Sequence, residues 1–439
     1  MSGSRAGPIP TRADGLEIAV LLGTFGLLLL IGTPVAVAML AASLLDILIF
    51  GLPPIISAER LSSAINSFPL LAIPFFILAG VLMNRGGLTQ RLVDVSRAFV
   101  GHYKGGTAQV NVLASIFFSG VSGSASADAA AIGSMLIPTM KREGYSPGFA
   151  VGVTAASATI GPIIPPSIVM VIYGSMTNMS IGALFVAGLV PGLMIGIGLM
   201  VMVSLLARKH GYPSAERLVW RQRGRTMMYA LPALIAPGII VGGIVVGLYT
   251  ATEAGVIACL YALAIGLLVY RELPLRALWG VLIEAAEQTA IPVFILACAS
   301  IFGWLLTIHG FGRVVIDLLN ALDLGPLGVL LFLVVVLTLI GLFIEGLAAL
   351  IIFVPLIVPL IPAFGLNELQ VAMIIIMTIL IGTVTPPVGL QLYIAASIGK
   401  CPINHVVIWP FVAVMLAVVL CVVFVPGLVT GLPGLAGLG

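Results

Sequence analysis

Three landmarks recur along this chain at one spacing, and that recurrence constrains the fold more than any other feature. Ile73-Pro-Phe-Phe-Ile-Leu-Ala79 returns as Ile291-Pro-Val-Phe-Ile-Leu-Ala297, an offset of 218 (291 − 73). Pro138 has its counterpart in Pro359, an offset of 221 (359 − 138). The pair Pro165-Pro166 matches Pro386-Pro387 at the same offset, and Gly161 and Gly382 stand at equivalent places before the two pairs. The chain therefore holds two copies of one unit, and the surroundings of those copies are apolar. Of 439 residues 61% are hydrophobic and 8% charged, against about 25% charged in soluble chains. There is too little polar surface to keep such a chain in water, which leaves a polytopic helical membrane protein. A barrel is excluded because the apolar runs are continuous, whereas barrel strands alternate over about ten residues. A net charge of +3 is too small to point to nucleic acid.

Measured against the roughly 20 residues that cross a bilayer, spans are expected near 16–31, 35–51, 68–84, 181–207, 229–248, 254–270, 289–308 and 404–428. The stretches 107–178 and 326–399 are too interrupted for plain spans. The first 15 residues are polar, and no small-residue cleavage site follows the first apolar run, which reads as a retained helix. Orientation follows from Arg208, Lys209, Arg217, Arg221, Arg223 and Arg225, which face a single Glu216 and so belong in the cytoplasm. Counting outward and backward puts 85–104 inside and His309 outside. The N-terminus comes out external although it carries Arg5 and Arg12. Five crossings separate the two copies, and an odd number makes them point opposite ways. Charge agrees: 85–104 holds Arg85, Arg91, Arg97 and Lys104 against Asp94, whereas 309–325 holds Arg313 against Asp317 and Asp323. Both segments are amphipathic and too short to cross, so they are expected to lie in the interface. An inverted repeat is the signature of a secondary transporter whose site sits where the copies meet.

Within the first copy, Ser119-Gly-Val-Ser-Gly-Ser-Ala-Ser-Ala-Asp128 lies between two apolar arms, 107–118 and 129–140. Gly and Ser favour an open backbone that lipid would not tolerate but a buried hairpin tip can use. Carbonyls and hydroxyls there can ligate a hard cation, and half-helix amides can receive a carboxylate. Asp128 in apolar surroundings needs a partner or a cation, since insertion costs roughly 2.5–3.5 kcal/mol; the plainer alternative is small-residue packing with a serine-paired acid. The helix from 148 to 178 must unwind at Ala158-Thr-Ile-Gly-Pro-Ile-Ile-Pro-Pro-Ser167, because each proline removes a donor and crowds the preceding turn, releasing carbonyls around Thr159 to Pro162. The second copy repeats the plan, with Gly341-Leu-Phe-Ile-Glu-Gly346 as hairpin tip and Ile381-Gly-Thr-Val-Thr-Pro-Pro-Val-Gly389 as broken helix.

The segments SGSASADAAAIGSMLIP (122–138), GPIIPPS (161–167) and GTVTPPVGLQLY (382–393) resemble the large membrane subunit of tripartite ATP-independent periplasmic (TRAP) transporters, over essentially the whole chain. The resemblance implies an elevator-type, sodium-driven importer of organic acids in a bacterial or archaeal inner membrane. It also implies a small four-helix membrane partner and a periplasmic substrate-binding protein. The chain departs from that family at the second hairpin, where Glu345-Gly346 stands for an Asp-Pro or similar pair. The expected fold is an all-α inverted repeat with two re-entrant hairpins and two broken helices. Its scaffold would comprise 1–106, 179–325 and 400–439, each of the first two including an interfacial arm. The transport domain would comprise 107–178 and 326–399. One Na+ site is expected from Ser122, Ser124, Asp128 and carbonyls near Gly161, the other from Glu345, Gly346, Gly382, Thr383 and Thr385. An anionic substrate is expected between them, near Ser126, Thr159, Pro165, Pro166, Pro386 and Pro387. Two rival readings are a stand-alone ion-coupled dicarboxylate or citrate carrier and a structural membrane subunit that transports nothing.

The remaining motifs read plainly. Cys259, Cys298, Cys401 and Cys421, and His102, His210, His309 and His405, stand singly, as packing cysteines and interfacial histidines do. No nucleophile elbow, P-loop or HExxH points to an enzyme. Gly192-x-x-x-Gly196, Gly238-x-x-x-Gly242 and Gly243-x-x-x-Gly247 allow close helix approach. Trp220, Trp279 and Trp409 read as interface anchors in contact with membrane lipid. Glu253, Glu284 and Glu287 lie near span ends, where water can solvate them.

Overall fold

Every regular element in the computed structural model, which describes residues 12–66 and 68–438, is helical, and no strand occurs among them. The polar segment around Arg5 lies outside the described residues. Among the described residues five helices are long and apolar enough to cross a membrane: Phe68–Arg85, Ile181–His210, Trp220–Val245, Ala251–Val269 and Leu275–Ile308. They fall on expected spans. Arg12–Leu30 and Val35–Ile49 occupy the first two expected spans, the second with only 15 residues. The last expected span, 404–428, is instead two helices, Trp409–Phe424 and Gly427–Leu435, bent by 65°. Pro426 stands at that bend, where its missing donor ends the first helix. Ile55–Ile65, which carries too few apolar residues to announce itself, packs on the long helix through Arg60, whose guanidinium lies 5.1 Å from the Trp304 ring centre.

That long helix establishes the inversion. Leu278–Ile308 has 31 residues, which at 1.5 Å each makes it about 46 Å long. Near its start Glu284 pairs with Arg85 at 2.8 Å, just before the first arm, Leu88–Val100. Its far end runs through His309 and Gly310 into the second arm, Phe311–Ala321. The two arms therefore lie at opposite ends of one membrane-crossing element. Each leads into a hairpin: Gly106–Ser122 with Ala125–Arg142, and Pro326–Gly341 with Gly346–Ile357. The second arm meets its hairpin at 115°, as a helix lying along an interface must. A broken helix follows each hairpin, Pro147–Ala158 with Ile168–Thr177 and Glu368–Gly382 with Leu390–Gly399.

The glycine stripe on Ile181–His210 faces inward. A Cβ on Gly188 would strike the Ile163 carbonyl, and Cβ atoms on Gly192 and Gly196 would crowd Ile164 and Ile116. This face accordingly packs on the first hairpin and its broken helix. Cβ atoms on Gly238 and Gly242 would meet nothing within 4 Å among the described residues. Trp220, Trp279 and Trp409 are exposed.

Candidate functional site

The first hairpin turns more tightly than its ten-residue run of small residues implies. Helix continues to Ser122 and resumes at Ala125, leaving only Gly123 and Ser124 at the tip. Two local devices make this possible. Gly123 takes a left-handed φ of 59°, which costs little only without a Cβ. Ser124 then caps the next helix by accepting from the Ala127 amide. Ser126 and Asp128 therefore belong to that helix. The tip faces its broken helix as expected: a Cβ on Gly123 would lie 2.6 Å from the Pro166 carbonyl oxygen, and one on Gly161 would lie 3.5 Å from that of Ser124.

Between the two halves of this broken helix, Thr159–Ser167, the backbone bonds only partly to itself. Ile160 O receives the amides of Ile163 and Ile164, both at 3.0 Å, and Pro162 O receives the Ser167 hydroxyl at 2.5 Å. The carbonyls of Thr159 and Gly161 accept no bond among the described residues. They are the free oxygens that an ion could use. The Thr159 hydroxyl is spent elsewhere, on Ala156 O and against Met415 Sδ.

Asp128 sits one turn behind the tip, fully buried. Ser115 Oγ lies 3.3 Å from its Oδ1 and 3.2 Å from Ser157 Oγ. The Ser157 hydroxyl donates to Asn111 Oδ1 at 2.9 Å, and Asn111 Nδ2 donates to Thr154 Oγ1 at 2.6 Å. Asp128 Oδ2 has no partner among the described residues. This polar chain links both hairpin arms to Pro147–Ala158. Asn111, Ser115, Thr154 and Ser157 escaped notice in the sequence because each is ordinary alone, and only the helix spacing puts them on facing sides.

The second half-site is built by close backbone approach. A Cβ on Gly382 would lie 2.5 Å from Gly341 Cα and 2.9 Å from Thr338 O. The Thr383 and Thr385 hydroxyls donate back to Leu380 O and Ile381 O at 2.6 and 2.7 Å, so only their lone pairs remain to meet a cation. Gly389 N reaches across to Leu342 O at 3.2 Å and Gln391 N to Thr383 O at 3.1 Å. Glu345 caps its own helix, accepting from Ala348 N at 3.0 Å. That gives its carboxylate a structural task beside any role toward an ion. Glu345→Ala should lower unfolding stability by about 1 kcal/mol, with Glu345→Asp retaining most of it. Thermal denaturation of the purified protein checks this, and an unshifted Ala variant would remove the cap from the account.

Both half-sites open on one cavity of about 1030 Å³. Ser122, Ser124, Ser126, Pro162, Glu345 and Gly346 border it, and Gln391 enters from the second broken helix. No Lys, Arg or His lines it among the described residues. Pro165 and Pro166 are buried behind the first tip, whereas Pro386 is half-buried and Pro387 exposed. Both proline pairs are joined by cis peptides. Glu284 borders the cavity while paired with Arg85, and Glu253 forms a capping box with Thr250.

A family model described as "Tripartite ATP-independent periplasmic transporter, DctM component" matches residues 22–428. The chain belongs to this TRAP family. It is 37% identical over 388 residues to the sialic acid TRAP transporter large permease protein SiaM of Vibrio cholerae, covering 88% of this chain and 91% of that one. It is 36% identical over 383 residues to the C4-dicarboxylate TRAP transporter large permease protein DctM of Pseudomonas aeruginosa, covering 87% and 90%. Among solved structures, Neisseria gonorrhoeae MtrF superposes with a TM-score of 0.60 at 12% identity, covering 96% of this chain and 95% of that one. That likeness concerns the fold alone. As a TRAP large permease the chain is a multi-pass membrane transport protein and not an enzyme. The two relatives named for different substrates are equally similar to it, so identity does not select a substrate.

Proposed function

We propose that this chain is the large transmembrane subunit of a sodium-coupled TRAP importer in a bacterial or archaeal inner membrane. It carries a small organic acid handed over by a periplasmic binding protein, and it works beside a small four-helix membrane subunit. The observation that carries this reading is the single cavity onto which both hairpin tips open. Hard oxygens at each tip suit Na+: Ser122, Ser124 and the free carbonyls of Thr159 and Gly161 on one side, with Asp128 behind them. On the other side stand Glu345, Gly346, Gly382, Thr383 and Thr385. The helices starting at Ala125 and Gly346 aim their N-termini at the cavity, where partial positive charge suits a carboxylate and replaces an arginine. Sialic acid and C4-dicarboxylates, for which the two relatives are named, are organic acids of this kind. Substrate would rest beside Ser126 between the tips, with Pro165, Pro166, Pro386 and Pro387 shaping the breaks behind it.

The packing supports a moving unit wider than the hairpins and broken helices. Ile181–His210 lays its glycine stripe on the first hairpin, and Trp409–Phe424 packs on both Glu368–Gly382 and Ile181–His210. We assign both to that unit. The scaffold is then the helices between 12 and 85 and those between 220 and 308, and the arms join the two parts. The cavity reaches Pro34, Asn84, Glu284 and Gln288, at the span ends that the charge rule puts inside, so this conformation faces the cytoplasm.

Proteoliposomes holding the permease with its small subunit and binding protein test the coupling, with labelled succinate and N-acetylneuraminate among a panel of probe acids. Uptake should need an inward sodium gradient and collapse in potassium. Uptake driven by protons in sodium-free buffer overturns the reading. Asp128→Ala should raise the sodium concentration for half-maximal uptake about tenfold, as loss of a group that supports the ligands from behind does, while membrane levels hold. An unchanged sodium response would make Asp128 purely structural.

A further inference from the structure

At the face of the scaffold away from Arg85, three ionisable side chains from three helices meet. His309 Nε2 lies 2.8 Å from Asp46 Oδ2, and His309 Nδ1 lies 2.8 Å from Glu17 Oε2. Asp46 is fully buried and His309 nearly so, whereas Glu17 is partly exposed. The ring of Phe50 stands edge-on to the imidazole at 6.0 Å. The permease site described above does not use these residues, and a lone interfacial histidine would not be held on both sides. A neutral imidazole has one donor nitrogen and one acceptor. Both short contacts are hydrogen bonds only when the trio carries one proton beyond neutral histidine and two carboxylates. Without that proton a ring lone pair faces a carboxylate oxygen at 2.8 Å.

The position of the trio gives it a task. His309 ends the long scaffold helix, and the next residue, Gly310, turns with a φ of 71° into the second arm. That arm leans on the hairpin: Cβ atoms built on Gly312 and on the scaffold's Gly303 would lie 3.3 Å from Pro359 and Pro355. A groove of about 730 Å³ between arm and hairpin reaches His309 and opens it to protons. We infer that Glu17, Asp46 and His309 are positioning residues whose shared proton seats the hinge of the second arm during transport. The first arm is held differently, by Arg91 against Glu272 at 2.5 Å and by Arg85 against Glu284. Arginine keeps its charge at every working pH, so neither of these pairs depends on a shared proton. Among the described side chains, the other charged groups on neighbouring elements are Glu59 and Arg60 on Ile55–Ile65 and Arg313 and Asp317 on the arm. None forms an ion pair with the trio among the described residues.

This inference rests on the moving-unit reading, and its test separates the two. Nitroxide labels on Ala58 and Asn320 of the permease in nanodiscs, read by pulsed dipolar spectroscopy, report the angle between arm and scaffold. The distance distribution should be narrow at pH 6 and broaden at pH 9. In His309→Gln, which offers one donor and one acceptor at any pH, it should be broad at both. In the reconstituted transporter, raising external pH from 6 to 9 with the interior held at 7 should slow uptake of the carried probe acid severalfold, and His309→Gln should be slow and pH-independent. Should the Gln variant fold poorly, Glu17→Gln, at the partly exposed end, should show the same loss of pH response. Distances that ignore pH in the wild type, or the same pH response in the variants, overturn the inference. Sodium-independent uptake with pH-sensitive distances would instead sink the coupling reading and leave the hinge intact.

Discussion

Gly382→Ala is expected to abolish uptake, by at least about a hundredfold, while the protein still reaches the membrane. The added carbon would lie 2.5 Å from Gly341 Cα, 2.7 Å from Gly341 C and 2.9 Å from Thr338 O. All are backbone atoms of the facing hairpin, so no side-chain rotation relieves the clash, and overpacking of this kind costs roughly 1–3 kcal/mol or more. The hairpin must withdraw, and the oxygens of Glu345, Thr383 and Thr385 separate. Gly341→Ala should behave alike, because its Cβ would meet Ile379 O at 2.7 Å and Gly382 Cα at 2.9 Å. Gly238→Ala, with nothing within 4 Å, is the control and should transport normally. Initial uptake rates normalised to protein in the proteoliposome decide the matter. An active Gly382→Ala would mean that the hairpin and the break need not touch for transport.

Linking Gly303 to Pro355 through a disulfide should stop transport just as completely. A Cβ on Gly303 would lie 3.3 Å from Pro355 Cβ, close to the separation that a disulfide spans. One partner is in the long scaffold helix and the other in the second hairpin, so the bond fastens moving unit to scaffold. The four native cysteines, Cys259, Cys298, Cys401 and Cys421, are replaced first. With Gly303→Cys and Pro355→Cys, oxidation should cut uptake to below about a tenth, and reduction should restore it. A second pair, Gly182→Cys with Ile244→Cys, tests the contact of Ile181–His210 with the scaffold, where a Cβ on Gly182 would lie 3.1 Å from Ile244 Cγ2. If both oxidised pairs transport freely, the units do not slide past each other, and gating by the hairpins alone is the better mechanism.

Much of this architecture was legible in one dimension. Apolar runs long enough to cross, prolines that end helices and arginines that stay inside are properties of short segments, and each acts wherever the chain puts it. The matched Pro165-Pro166 and Pro386-Pro387 located both breaks. Glycine and serine at 122–126 marked a hairpin tip, but not its length. That depended on Gly123 and Ser124 capping the two adjoining helices, so that Ser126 and Asp128 became helical.

Other decisions belonged to the tertiary structure. Asp128 found its partners in Ser115 and, through it, in Ser157 and Asn111, from two helices whose mutual rotation no hydropathy profile specifies. The glycines at 188, 192 and 196 could have faced lipid or protein, and packing on Ile163, Ile164 and Ile116 chose protein. His309 looked solitary because its carboxylates are Asp46 and Glu17, far away in sequence. Their meeting packs the start of Arg12–Leu30 against the end of Leu278–Ile308. Depth in the membrane is set by each segment's own transfer free energy, which the sequence carries. Rotation about a helix axis and the choice of neighbours are set by contacts between segments, which exist only once the chain has folded.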